Sequence, residues 1–312
     1  MKEFRDLVRK SLYPAKMPDL PPDMAPMRPI ATRRFDPDAS ARPVIALRLD
    51  FRDYAREVPV HRHQKGQLVM ALHGAVTCRL TEGWWLVPPE AGVWIPGGLD
   101  HSNLATANAR LVYLFVAPDA PDGPEQALPA EACTLALSPM LREMILHLAA
   151  QSQKDATETV TDPATDPAAD PATARLIGVI LDNLHAAPRQ NLHLPVSAHP
   201  RIREIAAALT ETPSDRRKLG DWARAVAMSE RSLARLFESE TGLAFGQWRR
   251  QLHLLIALRA LAGGASVQHV AEELGYASVT AFITMFRKSL GTTPARYFSR
   301  TGGGARPGAT AP

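Results

Sequence analysis

The feature that most constrains the fold of this chain is a repeat in its last third, with a period of 48 to 49 residues. In each copy an i, i+3, i+4, i+7 apolar stripe predicts an amphipathic helix. The two stripes are Leu219, Trp222, Ala223 and Val226, and then Val267, Val270, Ala271 and Leu274. A turn and a second stripe follow in each copy, at Leu233, Leu236 and Phe237 and at Phe282, Met285 and Phe286. Two helices joined by a short turn are typical of the helix-turn-helix, whose second helix enters a DNA major groove.

The turn residues of both copies support this interpretation. Ser229 and Ser278 stand where a side chain can cap the second helix of each unit. With the apolar stripe of the first unit facing inward, Arg231 and Arg235 share the outer face near the start of the helix. An arginine there can donate two hydrogen bonds to guanine. A predicted helix from about 245 to 261, stopped by Gly263 and Gly264, would set the distance between the two units.

The charge of the chain is concentrated in the same region. Residues 201–300 hold 15 basic and 9 acidic residues, a net charge of +6, although the whole chain carries only +4. A basic module attached to a slightly acidic remainder suits attraction to phosphate at one end of the protein.

These residues resemble the DNA-binding domain of AraC/XylS-type bacterial transcription regulators, most closely in the stretch ELGYASVTAFITMFRKSLGTTPARYF (273–298). The resemblance implies a two-unit reader of double-stranded DNA that acts as a homodimer. It places Arg231, Ala234 and Arg235, and in the second unit Val279, Thr280 and Thr284, where the helices face bases. With the neighbouring polar positions, the predicted DNA-contacting set is Ser229, Arg231, Ser232, Ala234, Arg235, Ser278, Val279, Thr280, Thr284 and Arg287.

An all-β domain is predicted from Val44 to about residue 125. Short apolar runs there recur every 8–12 residues with turn residues between them, which is typical of a sandwich or barrel. Within it, HRHQKGQLVMALHG (61–74) and GVWIPGGLDHSN (92–103) resemble the two cupin motifs. The fold class is therefore predicted as α+β in two domains, a cupin-like β-barrel followed by an all-α double helix-turn-helix.

The cupin-like motifs predict a binding site inside the barrel. Two histidines at i, i+2 of one strand, His61 and His63, would point the same way, with His101 opposite them. Three imidazoles could hold a divalent metal, but Gln67 replaces the usual acidic ligand. The alternative is that these side chains bind a polar small-molecule effector. The predicted effector site is His61, His63, Gln67, Trp85, Trp94 and His101, and the predicted metal ligands are the three histidines.

Proline and low-complexity segments divide the rest of the chain. An extended arm is expected over residues 1–43, and a helical linker and dimerisation region over 126–200 with an Asp-Pro spacer at 155–172. The DNA-binding domain then spans 201–300, and a disordered tail is expected over 301–312.

The expected location is the cytoplasm. The two cysteines, Cys78 and Cys133, match no metal or redox spacing. Neither a signal peptide nor a membrane span is expected, because no apolar run approaches about 18 residues.

Three functions compete at this point. The leading hypothesis is a sequence-specific, effector-controlled transcription regulator that is not an enzyme. The alternatives are a cupin metalloenzyme (an oxygenase or isomerase) with an accessory DNA-binding domain, and an effector-independent architectural DNA binder.

Overall fold

The computed structural model describes residues 36–50, 57–88, 91–120, 128–157, 170–190 and 192–299. Most of the predicted N-terminal arm, most of the Asp-Pro spacer and the C-terminal tail lie outside these ranges. In the described part of the arm, a short 3-10 turn spans Pro37–Ala39.

Eleven strands form two facing antiparallel sheets in the described part of the chain. They are β1 (Val44–Asp50), β2 (Glu57–His61), β3 (Gly66–His73), β4 (Val76–Leu80), β5 (Gly83–Val87), β6 (Ala91–Ile95), β7 (His101–Ala105), β8 (Arg110–Val116), β9 (Cys133–Ala136), β10 (Arg189–Gln190) and β11 (His193–Pro195). Sheet A has the order β1-β8-β3-β6-β9-β10, and sheet B has the order β11-β5-β4-β7-β2.

Nine α-helices accompany the sheets in the described ranges. They are α1 (Pro139–Thr157), α2 (Pro171–His185), α3 (Pro200–Glu211), α4 (Leu219–Ala225), α5 (Glu230–Thr241), α6 (Phe245–Ala262), α7 (Val267–Glu273), α8 (Val279–Leu290) and α9 (Pro294–Ser299). The N-terminal sheets and C-terminal helices confirm the predicted fold class. None of the described helices combines the length and the hydropathy that a membrane crossing needs.

Strand alternation sorts the apolar side chains into two layers. Val69 and Ala71 of β3 point between the sheets, where they meet Val93, Ile95 and Tyr113. The intervening Leu68 and Met70 point to the outer face of sheet A, where helices α1 and α2 cover them. Both layers are buried, so β3 is apolar on both faces.

The region predicted as a helical linker, 126–200, also completes the barrel. Strands β9 and β10 extend sheet A, and β11 extends sheet B beside β5. These strands have only two to four residues each, too few to show a period of two. Helices α1 and α2 of the same region pack on sheet A, and their apolar residues form a core cluster separate from that of the DNA-binding module.

The last Asp-Pro pair of the predicted spacer starts a helix instead. The Asp170 carboxylate accepts hydrogen bonds from the backbone N–H groups of Ala172 and Thr173, and Pro171 occupies the first helical position. Aspartate before proline is a strong helix-start combination, so α2 begins inside the segment expected to be unstructured. Helix α1 likewise runs to Thr157, beyond the expected start of the spacer.

The outer face of sheet B packs directly on the C-terminal helices. Trp84, Leu86 and Leu194 share one core cluster with residues of α6, including Leu252 and Ile256. Hydrogen bonds cross this boundary, such as that from Trp248 Nε1 to the Pro195 carbonyl at 2.9 Å. The barrel is therefore fixed to the helix that joins the two helix-turn-helix units.

Candidate nucleic-acid interface and barrel site

The first helix-turn-helix unit consists of α4 and α5. Trp222, Ala223 and Val226 are buried, as the apolar stripe predicts. The turn contains Ala227, whose φ of 53° lies in the left-handed region. Ser229 then caps α5, because its hydroxyl accepts from the Ser232 backbone N–H at 3.1 Å. The predicted capping role of Ser229 is confirmed.

Helix α5 buries its predicted apolar face and leaves the opposite face exposed. Leu233 and Phe237 are fully buried, whereas Arg231, Ser232 and Arg235 are exposed and Ala234 is half-buried. The Ser229 hydroxyl donates to Ser232 Oγ at 2.8 Å, so both serine hydroxyls take part in the helix cap.

The second unit repeats this construction with α7 and α8. Gly275, with φ 73°, takes the place of Ala227, and Ser278 caps α8 by accepting from the Ala281 N–H at 3.2 Å. Four residues separate the helices of the first unit and five separate those of the second, which is the single insertion that the repeat predicts. Gly242 and Gly291, with φ 69° and 74°, end α5 and α8 in the same left-handed conformation.

The outer face of α8 is less polar than that of α5. Ser278, Val279, Thr280, Thr284 and Arg287 are all exposed. The Thr284 hydroxyl donates to the Thr280 carbonyl at 2.8 Å, so its oxygen is left mainly as an acceptor for any further partner.

In the barrel, the three predicted histidines converge. Ring centroids lie 4.3 Å apart for His61 and His101, 5.1 Å for His63 and His101, and 5.8 Å for His61 and His63. The prediction that both motif histidines share a strand was wrong. Strand β2 ends at His61, and His63 lies in the following loop.

Backbone carbonyls fix all three rings in one tautomer. The Nδ1 atoms of His61, His63 and His101 lie 2.8, 2.5 and 2.9 Å from the carbonyl oxygens of residues 59, 65 and 99. A carbonyl only accepts, so each Nδ1 carries the proton and each Nε2 presents a lone pair. Burial lowers the pKa of His101 to about 4 and also lowers the pKa of His61, which keeps both rings neutral.

Gln67 Nε2, His101 Nε2 and Asn103 Oδ1 are among the buried polar atoms that have no hydrogen-bond partner in the described part of the chain. The Gln67 Oε1 atom lies 3.2 Å from His63 Nε2. A half-turn of the amide would make it donate to that lone pair. Asn103 was missed at the sequence level, although it lies two residues after His101 on β7 and therefore faces the same interior. Buried unpaired polar groups are costly, so this cluster of side chains is suited to a polar ligand.

The donor set also fits a divalent metal ion. One ligand atom from each of His61, His63 and His101 lies within 4.8 Å of the others. Neutral imidazoles whose second nitrogen donates to a carbonyl are the usual form of metal-binding histidine.

The two predicted tryptophans differ in position. Trp85 points into the barrel and stacks on His193, with ring centroids 5.5 Å apart. Trp94 was predicted to line the site, but it lies on the outer face of sheet A and donates to the Pro129 carbonyl at 2.8 Å. Successive residues of a strand face opposite sides of the sheet, and Trp94 lies between Val93 and Ile95, which both face inward.

The loop that carries His63 is held by the end of the N-terminal arm. Asp38 accepts from the backbone N–H groups of Gln64 and Lys65 at 2.6 and 3.1 Å. The buried Lys65 ammonium in turn donates to the carbonyls of Pro37 and Ser40. The arm therefore positions one side of the histidine cluster.

Comparison with known proteins agrees with the C-terminal geometry. A helix-turn-helix domain model matches residues 222–300. The HTH-type transcriptional regulator NimR of Escherichia coli K12 is 47% identical over 266 residues, which covers 85% of this chain and 91% of NimR. The regulator RipA of Corynebacterium glutamicum is 31% identical over 103 residues, covering 33% of this chain and 31% of RipA. The ToxT structure from Vibrio cholerae aligns over 84% of this chain and 96% of its own, at 10% identity and a TM-score of 0.34.

Proposed function

Because the chain belongs to the AraC/XylS-type family of helix-turn-helix transcriptional regulators, we propose that α5 and α8 read two successive major grooves of an operator. The observation that carries this proposal is the matched pair of capped helices with exposed outer faces. The chain is a regulator rather than an enzyme, since it matches 91% of the length of NimR, which is a transcriptional regulator. Its chromosomal target implies that it acts in the cytoplasm.

The first unit supplies most of the base discrimination. Arg231 and Arg235 lie one turn apart on the exposed face of α5, and each can donate two hydrogen bonds to guanine O6 and N7. In the second unit, Val279 and Thr280 suit contact with thymine methyl groups. Arg287, in the last turn of α8, suits a phosphate contact that fixes register without reading sequence.

A binding assay with mutated operators tests these roles. Arg235→Ala should weaken binding by about 1–3 kcal/mol and relax preference at one base pair. Arg287→Ala is the matched control and should weaken binding equally on every sequence, with a smaller salt dependence. An equal loss on all sequences for Arg235→Ala would make that residue a phosphate contact and would contradict its proposed role.

The barrel is proposed to bind a polar small-molecule effector at His61, Gln67, His101 and Asn103. The Nε2 lone pairs of His61 and His101 and the Gln67 amide favour a ligand that offers both donors and an acceptor. The second candidate ligand is a divalent metal held by His61, His63 and His101, which would supply a fixed positive charge at the same place. Thermal unfolding of the whole protein with Zn²⁺, Ni²⁺ or a chelator separates the two. Metal stabilisation that His101→Leu abolishes favours the metal, and stabilisation by organic compounds in chelator favours the effector.

The barrel and the reader are coupled through strand β7. His101 begins this strand, and the Leu104 carbonyl three residues later accepts from Arg259 of α6 at 3.2 Å. Arg259 also donates to Thr77 Oγ1 at 3.0 Å, and Thr77 pairs with Leu104 across the sheet. A ligand that shifts β7 would therefore act on the helix between the two helix-turn-helix units. The effector can change DNA affinity only by binding one arrangement better than the other.

Dimerisation is proposed to use the outer surface of α1 and α2. Met140 and Val179 of these helices are 57% and 44% exposed, and the face lies on the side of the barrel away from the reader. Val179→Glu should convert a dimer to a monomer in light scattering at micromolar concentration. A dimer that persists with unchanged affinity would place the interface elsewhere.

A further inference from the structure

A cluster of side chains outside the two recognition helices ties the helix-turn-helix units to each other. Its centre is His253, buried in the middle of α6. His253 Nε2 lies 2.9 Å from the Pro213 carbonyl, which can only accept, so Nε2 carries the proton. The Nδ1 atom then accepts from the Tyr276 hydroxyl at 3.2 Å. The imidazole thus joins the loop before the first unit to the turn of the second.

The loop that holds Pro213 is itself attached to the first unit. It connects α3 to α4 and spans residues 212–218. The Arg217 guanidinium lies 3.6 Å from the ring centroid of Trp222, which is buried in α4. Asp215 pairs with Arg217 at 2.7 Å and keeps that side chain in place. Movement of the loop would therefore move α4.

The same loop contacts the turn of the second unit at its backbone. Arg216 donates to the Gly275 carbonyl. A Cβ atom built on Gly275 would lie 2.9 Å from Ser214 Cβ and 3.0 Å from its Cα, so only glycine permits this approach. Tyr276 then packs against Phe282, with ring centroids 5.6 Å apart, and Phe282 is fully buried in the core of the second unit.

The second unit also packs on α6, because Val270, Ala271 and Phe282 share an apolar core with residues of that helix. Gly263 caps that helix and Gly264 follows with φ 96°, and two glycines in sequence resist bending poorly. The polar contacts of His253 and of the 212–218 loop add to that apolar packing and restrain the second unit further. The entropy cost of fixing the second unit is then met when the chain folds and not when it binds DNA, which is the usual benefit of preorganisation.

We infer that the brace formed by His253, Tyr276, Arg216 and the 212–218 loop sets the separation of the two recognition helices. The protein would then read the spacing between its two subsites as well as their sequences. This inference rests on the proposed two-groove function. His253 and Tyr276 are positioning residues in it, because neither belongs to the predicted DNA-contacting set.

The experiment measures the affinity of the full chain for operators in which the spacing between the two subsites is changed by one base pair in either direction. Each inserted base pair displaces the second subsite by about 3.4 Å and turns it by about a tenth of a helical turn. For the wild type we expect a loss of about tenfold or more at a changed spacing, comparable to one lost base contact.

Tyr276→Phe is the main test, because it removes one hydroxyl and keeps the ring in place. We expect it to flatten the spacing profile to about threefold or less, while affinity for an isolated first subsite stays within about twofold. His253→Leu should flatten the profile further. Arg235→Ala is the control, since it should weaken binding at every spacing and leave the shape of the profile unchanged.

Two outcomes separate the inference from the function beneath it. If the wild type binds the full operator no better than the first subsite alone, the two-groove function is wrong. If the wild type depends on spacing and both Tyr276→Phe and His253→Leu, folded by circular dichroism, keep its profile, the brace does not set the spacing.

Discussion

Substitution of Arg259 gives the most direct test of the contact between the barrel and the C-terminal helix-turn-helix domain. Its side chain is 9% exposed, yet it carries a guanidinium that donates to Thr77 Oγ1 and to the Leu104 carbonyl across the domain boundary. We expect the hydrogen bond from Arg259 to Thr77 to contribute a coupling free energy of about 1.5–2 kcal/mol to folding.

The net effect of replacing Arg259 is a poor measure of this contact. Two hydrogen bonds from a charged donor are worth about 3–6 kcal/mol together. Burial, followed by repulsion from Arg79, lowers the pKa of Arg259 to about 10, which corresponds to a desolvation cost of about 3 kcal/mol. The two terms largely offset each other, so Arg259→Met should cost only about 0–3 kcal/mol.

A double-mutant cycle isolates the interaction. Thr77→Val in the wild type removes the hydroxyl that accepts from the buried Arg259 Nη1 and should destabilise by about 1–3 kcal/mol. In the Arg259→Met background the same change places a methyl group against an apolar side chain and should cost close to nothing. Urea unfolding followed by tryptophan fluorescence, to which Trp84 at this boundary contributes, gives the four free energies.

The refuting result is additivity. If the two substitutions combine within about 0.5 kcal/mol, Arg259 and Thr77 do not interact in the folded protein. A second measurement tests the functional consequence. Arg259→Met should bind the operator as the wild type does and lose most of its response to a barrel ligand. An unchanged response would place the coupling elsewhere.

Three further predictions concern stability. The pKa of His253 is lowered to about 4 by burial and by Arg249. The unfolded chain, with the ordinary pKa of about 6.5, therefore binds more protons between these values. The contribution of neutral His253 to the free energy of unfolding is fully present above pH 6.5 and falls by up to about 3 kcal/mol as the pH drops towards 4. His253→Leu should therefore reduce the slope of unfolding free energy against pH, measured by urea titration at several pH values. Ala227→Gly should change the unfolding free energy by less than about 1 kcal/mol, whereas Gly275→Ala should cost more than about 2 kcal/mol because its Cβ meets Ser214; equal effects would contradict the close approach. Gln67→Met should stabilise the ligand-free protein by about 1 kcal/mol and weaken effector binding, and a loss of stability would show that the amide is already paired.

The double reader could be predicted from sequence because its signals are local. The stripe from Leu219 to Val226, its repetition 48 residues later and the two serine caps each depend on neighbours within one or two turns. The histidine cluster was predicted through the resemblance to the two cupin motifs, which places His101 opposite His61 and His63 although about 40 residues separate them. The outward position of Trp94 could also have been predicted, because it lies between Val93 and Ile95, which face inward on the same strand.

The contacts between elements could not be predicted in this way. Arg259 stands in α6 among apolar residues, and nothing near it in sequence indicates that its partners are Thr77 and Leu104, more than 150 residues earlier. Strands β9 to β11 are too short to carry a pattern, so their place in the sheets depends on tertiary pairing alone. The His253 brace likewise joins residues 213, 253 and 276, which only the folded chain brings together.

Helix α6 has 12 of its 18 residues buried, which is unusual for a linker and has a consequence for engineering. One face of α6 packs against the barrel, and its other faces pack against the two helix-turn-helix units. Transplanting the C-terminal region onto the sensor of a distant relative would therefore expose Leu255 and Ile256 to a foreign strand surface. A functional hybrid should need the outward-facing residues of β4, β5 and β11 to be transplanted together with α6. The barrel and the two helix-turn-helix units of this protein would then be exchanged as a single unit.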